Sequence, residues 1–238
     1  TLTATINYKD FTDTKTFAVT VKSLAPAEYS FEGDLAELKD AYASAKPTGD
    51  RIDNTGGNAT FVEGIKGQAL FLQGSGVRLP NNLITTNDYS VSMWLKPETF
   101  SDYTTAFFAG ASSSTWVSLV PSMVDSNTTR LWANGGGAFF DNGDLGMRIP
   151  AKEWTHVVFT VDGSNGDTLK MYGNGELKID AGGFPRVFTV EGETNEFALG
   201  VNYWDTPYNG AVDELKIFNG AIDVDAIKAL YDAATAQE

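Results

Sequence analysis

Between Tyr29 and about Ile222, no stretch of this chain keeps a helical period of apolar residues for more than a few positions. Short apolar runs recur instead: QALFLQG at 68–74, YSVSMWLKP at 89–97, TWVSLV at 115–120, THVVFTVD at 155–162 and EFALGV at 196–201. Gly, Asn, Asp or Pro separates each run from the next. That spacing predicts an all-β chain folded as a two-sheet antiparallel β-sandwich. In QALFLQG both parities are apolar, as in a strand covered on both faces. In WTHVVFTV, Val157, Phe159 and Val161 share one parity, while His156, Val158 and Thr160 share the other. Two hairpins are legible. One runs from Val161-Asp162-Gly163 to Thr168, and the other holds the Asn174-Gly175 pair that type I′ turns favour. Helical spacing returns only at the end, where Ile222, Ala226, Ile227, Leu230 and Tyr231 share a face. Asp223 is placed to cap that short C-terminal helix and Asp225 to favour its first turn. A second short helix is expected near Leu35–Tyr42.

The 238 residues suit one large β domain, or one domain with a fragment of another. Residues 1–22 read as two strands, with Leu2, Ala4, Ile6 and Tyr8 alternating in the first and Phe17, Val19 and Val21 in the second. A lone hairpin is marginal in water, so this pair is expected to be the tail of another β domain. Residues 23–27 would be the linker and 28–238 the main domain. Thr1 is not an initiator and no signal peptide opens the chain, so a longer parent is expected.

Composition narrows the chemistry. Lys+Arg total 17 against Asp+Glu 31, and the net charge of −14 repels nucleic acid and anionic membranes. With no cysteine there are no disulfides, thiolate nucleophiles or Cys-based zinc sites. The single histidine, His156, rules out any scheme that needs two. No apolar run approaches the ~18 residues of a membrane span. Oxygen ligands for calcium are plentiful, but 162–167 lacks the distal Glu of an EF-hand loop and reads as a turn.

The tryptophans carry the recognition chemistry, because sugar rings stack on aromatic faces. In TWVSLV, Val117 and Leu119 leave Trp116 and Ser118 on the opposite parity; in TRLWANG, Leu131 and Ala133 leave Trp132 with Arg130 and Asn134. Both tryptophans face solvent as a platform, unless a bulge shifts the parity and buries them. Trp204 sits in the loop NYWDTPYNG beside Tyr203, Asp205, Tyr208 and Asn209, which supply ring faces and hydroxyl-binding groups. Tyr103 is a weaker member of this set. Phe139 and Phe140, after a Gly135–Gly137 run, could cap the site or plug a loop against the core, and the plug is the expectation.

Six stretches in order resemble one family: YSFEGD (29–34), VEGIKGQALFLQGSGVRLP (62–80), YSVSMWLKPETF (89–100), WTHVVFTVDGSNGDTLKMYGNGELK (154–178), ALGVNYWDTPYNGAVDELKIFNGAI (198–222) and VDAIKALYDA (224–233). They are similar to the laminin G-like, concanavalin A-like jelly-roll modules of bacterial polysaccharide-active enzymes. Residues 1–22 resemble the last strands of bacterial immunoglobulin-like domains. The resemblance implies a jelly-roll β-sandwich that binds carbohydrate more often than it catalyses. It makes Trp94, Trp154 and His156 structural. It also implies a structural calcium, with Glu32 or Asp34 and Asp213 at the matching positions. Family 16 glycoside hydrolases share the sandwich and carry Glu-x-Asp-x-x-Glu. Here Glu191-Gly192-Glu193-Thr194-Asn195-Glu196 has the wrong centre and turn-forming spacers, and reads as an acidic loop.

The expectation is a non-catalytic carbohydrate-binding module of a secreted, multimodular glycoside hydrolase, extracellular or on the cell surface. Trp116, Trp132 and Trp204 would stack a neutral polysaccharide or oligosaccharide; Tyr203, Asp205, Asn209 and Arg130 would complete the site. The chain would act as a monomer within a larger polypeptide. A structural or adhesive domain bracing a catalytic neighbour is the alternative, favoured if all three tryptophans are buried. A hydrolase of the same fold is a third reading.

Overall fold

A computed structural model describes residues 2–8, 11–17, 25–188 and 194–236, the first two stretches as backbone. Strands β1 (Leu2–Tyr8) and β2 (Phe11–Phe17) form a two-stranded sheet of their own, paired from Leu2↔Phe17 to Tyr8↔Phe11. The second strand therefore takes up the polar stretch expected to be the turn. Thr12, Thr14 and Thr16 make this possible, because β-branched residues suit a pleated strand. Val19, Val21 and the expected linker residues Ser23 and Leu24 lie outside the described residues.

The main body begins with β3 (Ala27–Tyr29), β4 (Lys46–Thr48), β5 (Thr60–Glu63), β6 (Gln68–Leu72) and β7 (Gly76–Leu79). It continues with β8 (Asp88–Pro97), β9 (Phe107–Ser112), β10 (Thr115–Val120), β11 (Arg130–Gly135) and β12 (Phe139–Phe140). Last come β13 (Thr155–Asp162), β14 (Thr168–Gly173), β15 (Glu176–Ala181), β16 (Glu196–Leu199), β17 (Gly210–Phe218) and helix α1 (Val224–Thr235). One sheet has the order β12-β11-β10-β9-β16-β7-β4; the other runs β15-β14-β13-β8-β17-β6-β5, with β3 also on β17. Every pairing among the described strands is antiparallel. This is the expected jelly-roll sandwich.

The alternating residues do the work predicted of them. Val117 and Leu119 of β10, with Leu131 and Ala133 of β11, face Val157, Phe159 and Val161 of β13 in one buried core. Phe107 meets Phe159 edge-on at 5.8 Å, tying the two sheets together. The Asn174-Gly175 turn joins β14 to β15 with φ of 51° and 79°, both left-handed as a type I′ turn requires.

The outer face of the eight-stranded sheet lies under α1. Asp223 caps the helix, its Oδ1 accepting from Ala226 N at 2.9 Å. Ile227 packs on Val158 and Tyr172. Trp94 is buried here, not between the sheets. Its ring lies 5.0 Å from His156 and 5.6 Å from Tyr231 of the helix. Trp154 is half-buried, with Lys96 Nζ 5.6 Å from its ring centre. So the family resemblance predicted their structural role but not their location.

Residues 35–42 form turns, not the expected helix. Glu37, only 3% exposed, organises them. Its carboxylate accepts from the backbone N–H of Glu28 at 3.0 Å, Lys39 at 3.2 Å, Ala41 at 2.8 Å and Tyr42 at 3.3 Å. Those donors would otherwise be orphaned, so a side chain has taken the place of a helical ladder.

Candidate functional site

The outward face of the seven-stranded sheet is built in rows. Arg78, Ala198, Phe108, Ser118 and Trp132 are successive cross-strand partners on β7, β16, β9, β10 and β11. In the next row stand Glu196, Gly110, Trp116 and Asn134. Large rings thus alternate with small residues, which lets them interdigitate across the pleat. A Cβ on Gly110 would lie 2.9 Å from Trp116 Cβ, so the glycine is what admits the indole. The parity prediction holds for both tryptophans. The platform prediction does not hold for Trp116, which is only 5% exposed. It is covered by neighbouring rings: Trp132 of β11 at 5.1 Å, Phe139 of β12 at 6.3 Å and Trp204 of a loop distant in the chain at 5.9 Å.

These rings enclose an open depression of about 480 Å³. Trp116, Ser118, Trp132 and Asn134 line it from the sheet; Tyr103, Ser113, Phe139, Asn202, Trp204 and Asp205 line it from loops and the short strand β12. Phe139 stacks on Trp132 at 5.4 Å with planes 21° apart, and Tyr103 lies 6.0 Å from the same indole. The polar contribution comes from one tight turn. Asn202 Oδ1 accepts from Trp204 N at 2.9 Å and Asp205 N at 2.8 Å, and its Nδ2 donates to Asp205 Oδ2 at 2.6 Å. Partial burial raises the Asp205 pKa, while the Asn202 hydrogen bond and the Arg51 charge oppose that rise. Trp204 is left 45% exposed at the rim.

Residues 72–228 match the family described as the concanavalin A-like lectin/glucanases superfamily, a span well over half of the chain. The chain belongs to this superfamily. The chain is 40% identical to a solved structure, domain 4 of AbnA, a GH43 extracellular arabinanase from Geobacillus stearothermophilus, in complex with arabinotriose. The two superpose with a TM-score of 0.80, over 87% of this chain and 99% of that domain. The binding domain of Paraclostridial Mosquitocidal Protein 1 is 12% identical, with a TM-score of 0.59 over 88% of this chain and 52% of that one. The botulinum neurotoxin serotype D binding domain is 16% identical, with a TM-score of 0.59, 88% of this chain and 52% of that one. These two share the fold alone. No curated protein sequence matches the chain.

In this lectin/glucanase sandwich, four of the expected site residues converge: Trp116, Trp132, Trp204 and Asp205. Three do not line the depression. Tyr203 stands behind Trp204, edge-on to Phe108 at 5.6 Å. Its hydroxyl donates to Glu196, which also pairs with Arg78, and burial followed by that carboxylate raises its pKa. Arg130 is buried among Asp125, Asp141 and Asp144 at 3.4, 3.8 and 3.5 Å. Asn209 ends the loop just before β17, at the edge of the other sheet, its Nδ2 donating to Thr99 Oγ1 at 3.0 Å and its backbone carbonyl accepting from Glu98 N. Proximity in sequence to Trp132 or Trp204 was not proximity to the pocket.

Asn202 and Ser113 were not foreseen from the sequence, and Phe139, expected to plug the core, instead borders the site. Phe140 does plug the core, meeting Phe184 at 5.0 Å, but its neighbour points the other way and is 54% exposed. Opposite parity within a two-residue strand was the available signal. For Asn202 the signal was an Asn two and three residues before the Trp204 and Asp205 backbone amides, the spacing of an Asx turn.

The three carboxylates at the family's calcium positions are loop anchors. Asp213 Oδ2 accepts from Ile65 N at 2.9 Å and Lys66 N at 3.4 Å, and Oδ1 from Glu214 N at 2.8 Å. Burial pushes its pKa up to about 7. Glu32 accepts from Gln68 N and Asp34 from Ala36 N, each at 2.9 Å. Amide protons aimed at these oxygens oppose a cation, and among the described residues no three Asp, Glu or His side chains converge on a metal position. As a set they do not fit calcium. Of the acidic segment 191–196, residues 191–193 lie outside the described residues, and Glu196 is held by Arg78 and Tyr203. His156 is a buried sheet histidine, its Nε2 2.8 Å from Ser92 Oγ.

Proposed function

We propose that this chain is a non-catalytic carbohydrate-binding module of a secreted, multimodular glycoside hydrolase, and that its aromatic depression holds a neutral oligosaccharide. Arabino-oligosaccharides are the first candidates. The observation that carries the reading is the depression itself: three clustered indoles, one of them stacked on Phe139, beside a fixed carboxylate and amide. The C–H face of a sugar ring lies on an aromatic surface, while its hydroxyls hydrogen-bond to Asp205 and Asn134. The 40% identity to an arabinanase domain solved with arabinotriose supports the choice of sugar. A few stacked rings and hydrogen bonds correspond to a Kd of about 10–100 μM. Attached to an enzyme, such a module raises the enzyme's effective concentration at the polymer.

Catalysis finds less support. Glycoside hydrolysis takes two carboxyl groups flanking the bond, and Asp205 is the single acid among the described lining residues. Residues 28–238 would be the module, 23–27 a linker, and 1–22 the end of an immunoglobulin-like domain, a division supported by the hairpin's separate sheet. Secretion and monomeric action within a longer chain complete the proposal. A bracing role would want all three tryptophans buried, and Trp204 is not. Calorimetric titration with arabinotriose, beside affinity gels containing arabinan, galactan or xylan, tests the reading. Saturable binding to one of them is expected, and no binding to any ends it.

A further inference from the structure

The arginines bordering the aromatic face are already paired. Arg78 is held by Glu196, and Arg130 by three aspartates. Arg51, whose charge reaches Asp205, donates to the Asp50 carbonyl at 2.6 Å and lies 3.7 Å from the Asp50 carboxylate. None of the ten residues lining the depression is Lys, Arg or His, and Asp205 is its one formal charge. That charge is held in place. Asn202, 2% exposed, grips Asp205 Oδ2 at 2.6 Å, and among the described residues no hydrogen bond engages Oδ1. An ionised carboxylate with a free oxygen accepts sugar hydroxyls and repels a second anion, the more so beside apolar rings that exclude water. Binding a carboxylated sugar takes the reverse arrangement, a cationic fork with no competing acid.

We propose that this pocket is restricted to uncharged glycans, and that Asp205 is the residue that turns carboxylated sugars away. The proposal rests on the carbohydrate-binding reading and narrows it to a substrate class. It assigns Asp205 two effects at once, acceptance of hydroxyls and rejection of uronates.

The test compares arabinotriose with the same trisaccharide oxidised to a carboxylate at its free primary hydroxyl. Each is titrated into the native chain and into Asp205→Asn. Asparagine keeps an acceptor for Asn202, so the variant should melt within about 2 °C of the parent. The native chain should bind the oxidised sugar at least about tenfold more weakly, and the variant should narrow that gap to about threefold or less. Equal binding of both sugars by the native chain, or an unchanged gap in the variant, overturns the proposal. Affinity gels keep the two levels apart. Retardation by polygalacturonate but by no neutral polymer overturns the charge rule and leaves carbohydrate binding standing. Retardation by neither defeats both.

Discussion

Trp116 and Trp204 belong to one pocket but differ in what holds them there. Trp204 is anchored by its backbone, through Asn202, and its ring is nearly half exposed. Removing the ring deletes contact surface without opening the core. Trp204→Ala should weaken oligosaccharide binding by about tenfold to a hundredfold, the range for one stacked ring, with melting shifted by no more than about 2 °C. Trp116 is the floor, and its truncation leaves a cavity between Phe108, Trp132 and Phe139. Trp116→Ala should cost about 3–5 kcal/mol in a denaturant titration and abolish binding with it. Equal effects of the two changes on stability would contradict this division. The sequence told which side of its strand Trp116 occupies, because Val117 and Leu119 had to face inward. It did not tell exposure, because two of the covering rings, Phe139 and Trp204, come from outside β10 and its neighbouring strand β11.

One element departed from its local pattern because a single buried side chain outweighed it. The apolar spacing at 35–42 was compatible with a helix, but Glu37 turns inward and collects four backbone donors. Glu37→Ala should destabilise the sandwich by about 3 kcal/mol or more, by orphaning those amides, and Glu37→Gln by less, since one acceptor oxygen remains. Equal losses in the two variants would show that packing, not amide capture, is what Glu37 supplies. Helix α1 was legible down to its cap, yet its partner face was not. That face aligns Asp213, Trp94 and His156 across β17, β8 and β13. Burial, then the Lys216 charge, lowers the His156 pKa from 6.5 to about 4, whereas burial raises that of Asp213 from 3.8 to about 7. Between about pH 4 and 6.5 the unfolded chain takes up a proton at His156 that the native fold refuses, so that residue makes stability rise with pH. Over nearly the same window the native fold keeps a proton on Asp213 that the unfolded chain releases, and stability falls with pH. The two slopes offset. Asp213→Asn should therefore make stability drop more steeply than in the parent as pH falls from 6.5 to 4. His156→Gln should tilt it the opposite way, and melting curves across that range read both.

At the scale of the molecule, alternation and turn chemistry were enough for the sandwich. Register is set by which parity is apolar, and that is written locally. Loop conformation is not, so the depression's rim and the carboxylate partners of Arg130 emerged only with the fold. The loop at 64–68 is the instructive case. Gly64 and Gly67 bring its backbone so close to the Asp213 and Glu32 carboxylates that an added Cβ would lie 2.5 Å and 2.2 Å from their oxygens. This loop ties the start of β6 to β17 through amide protons, the task a bridging calcium would otherwise perform. A fold already closed in this way gains little from a cation. Melting in millimolar calcium and in EGTA should agree within about 2 °C, because a ligand without a native-state site shifts no folding equilibrium. A calcium-dependent rise of about 5 °C or more, lost in Asp213→Asn, would instead mean that Asp213 gives up its amide donors to a metal, as the family resemblance implies.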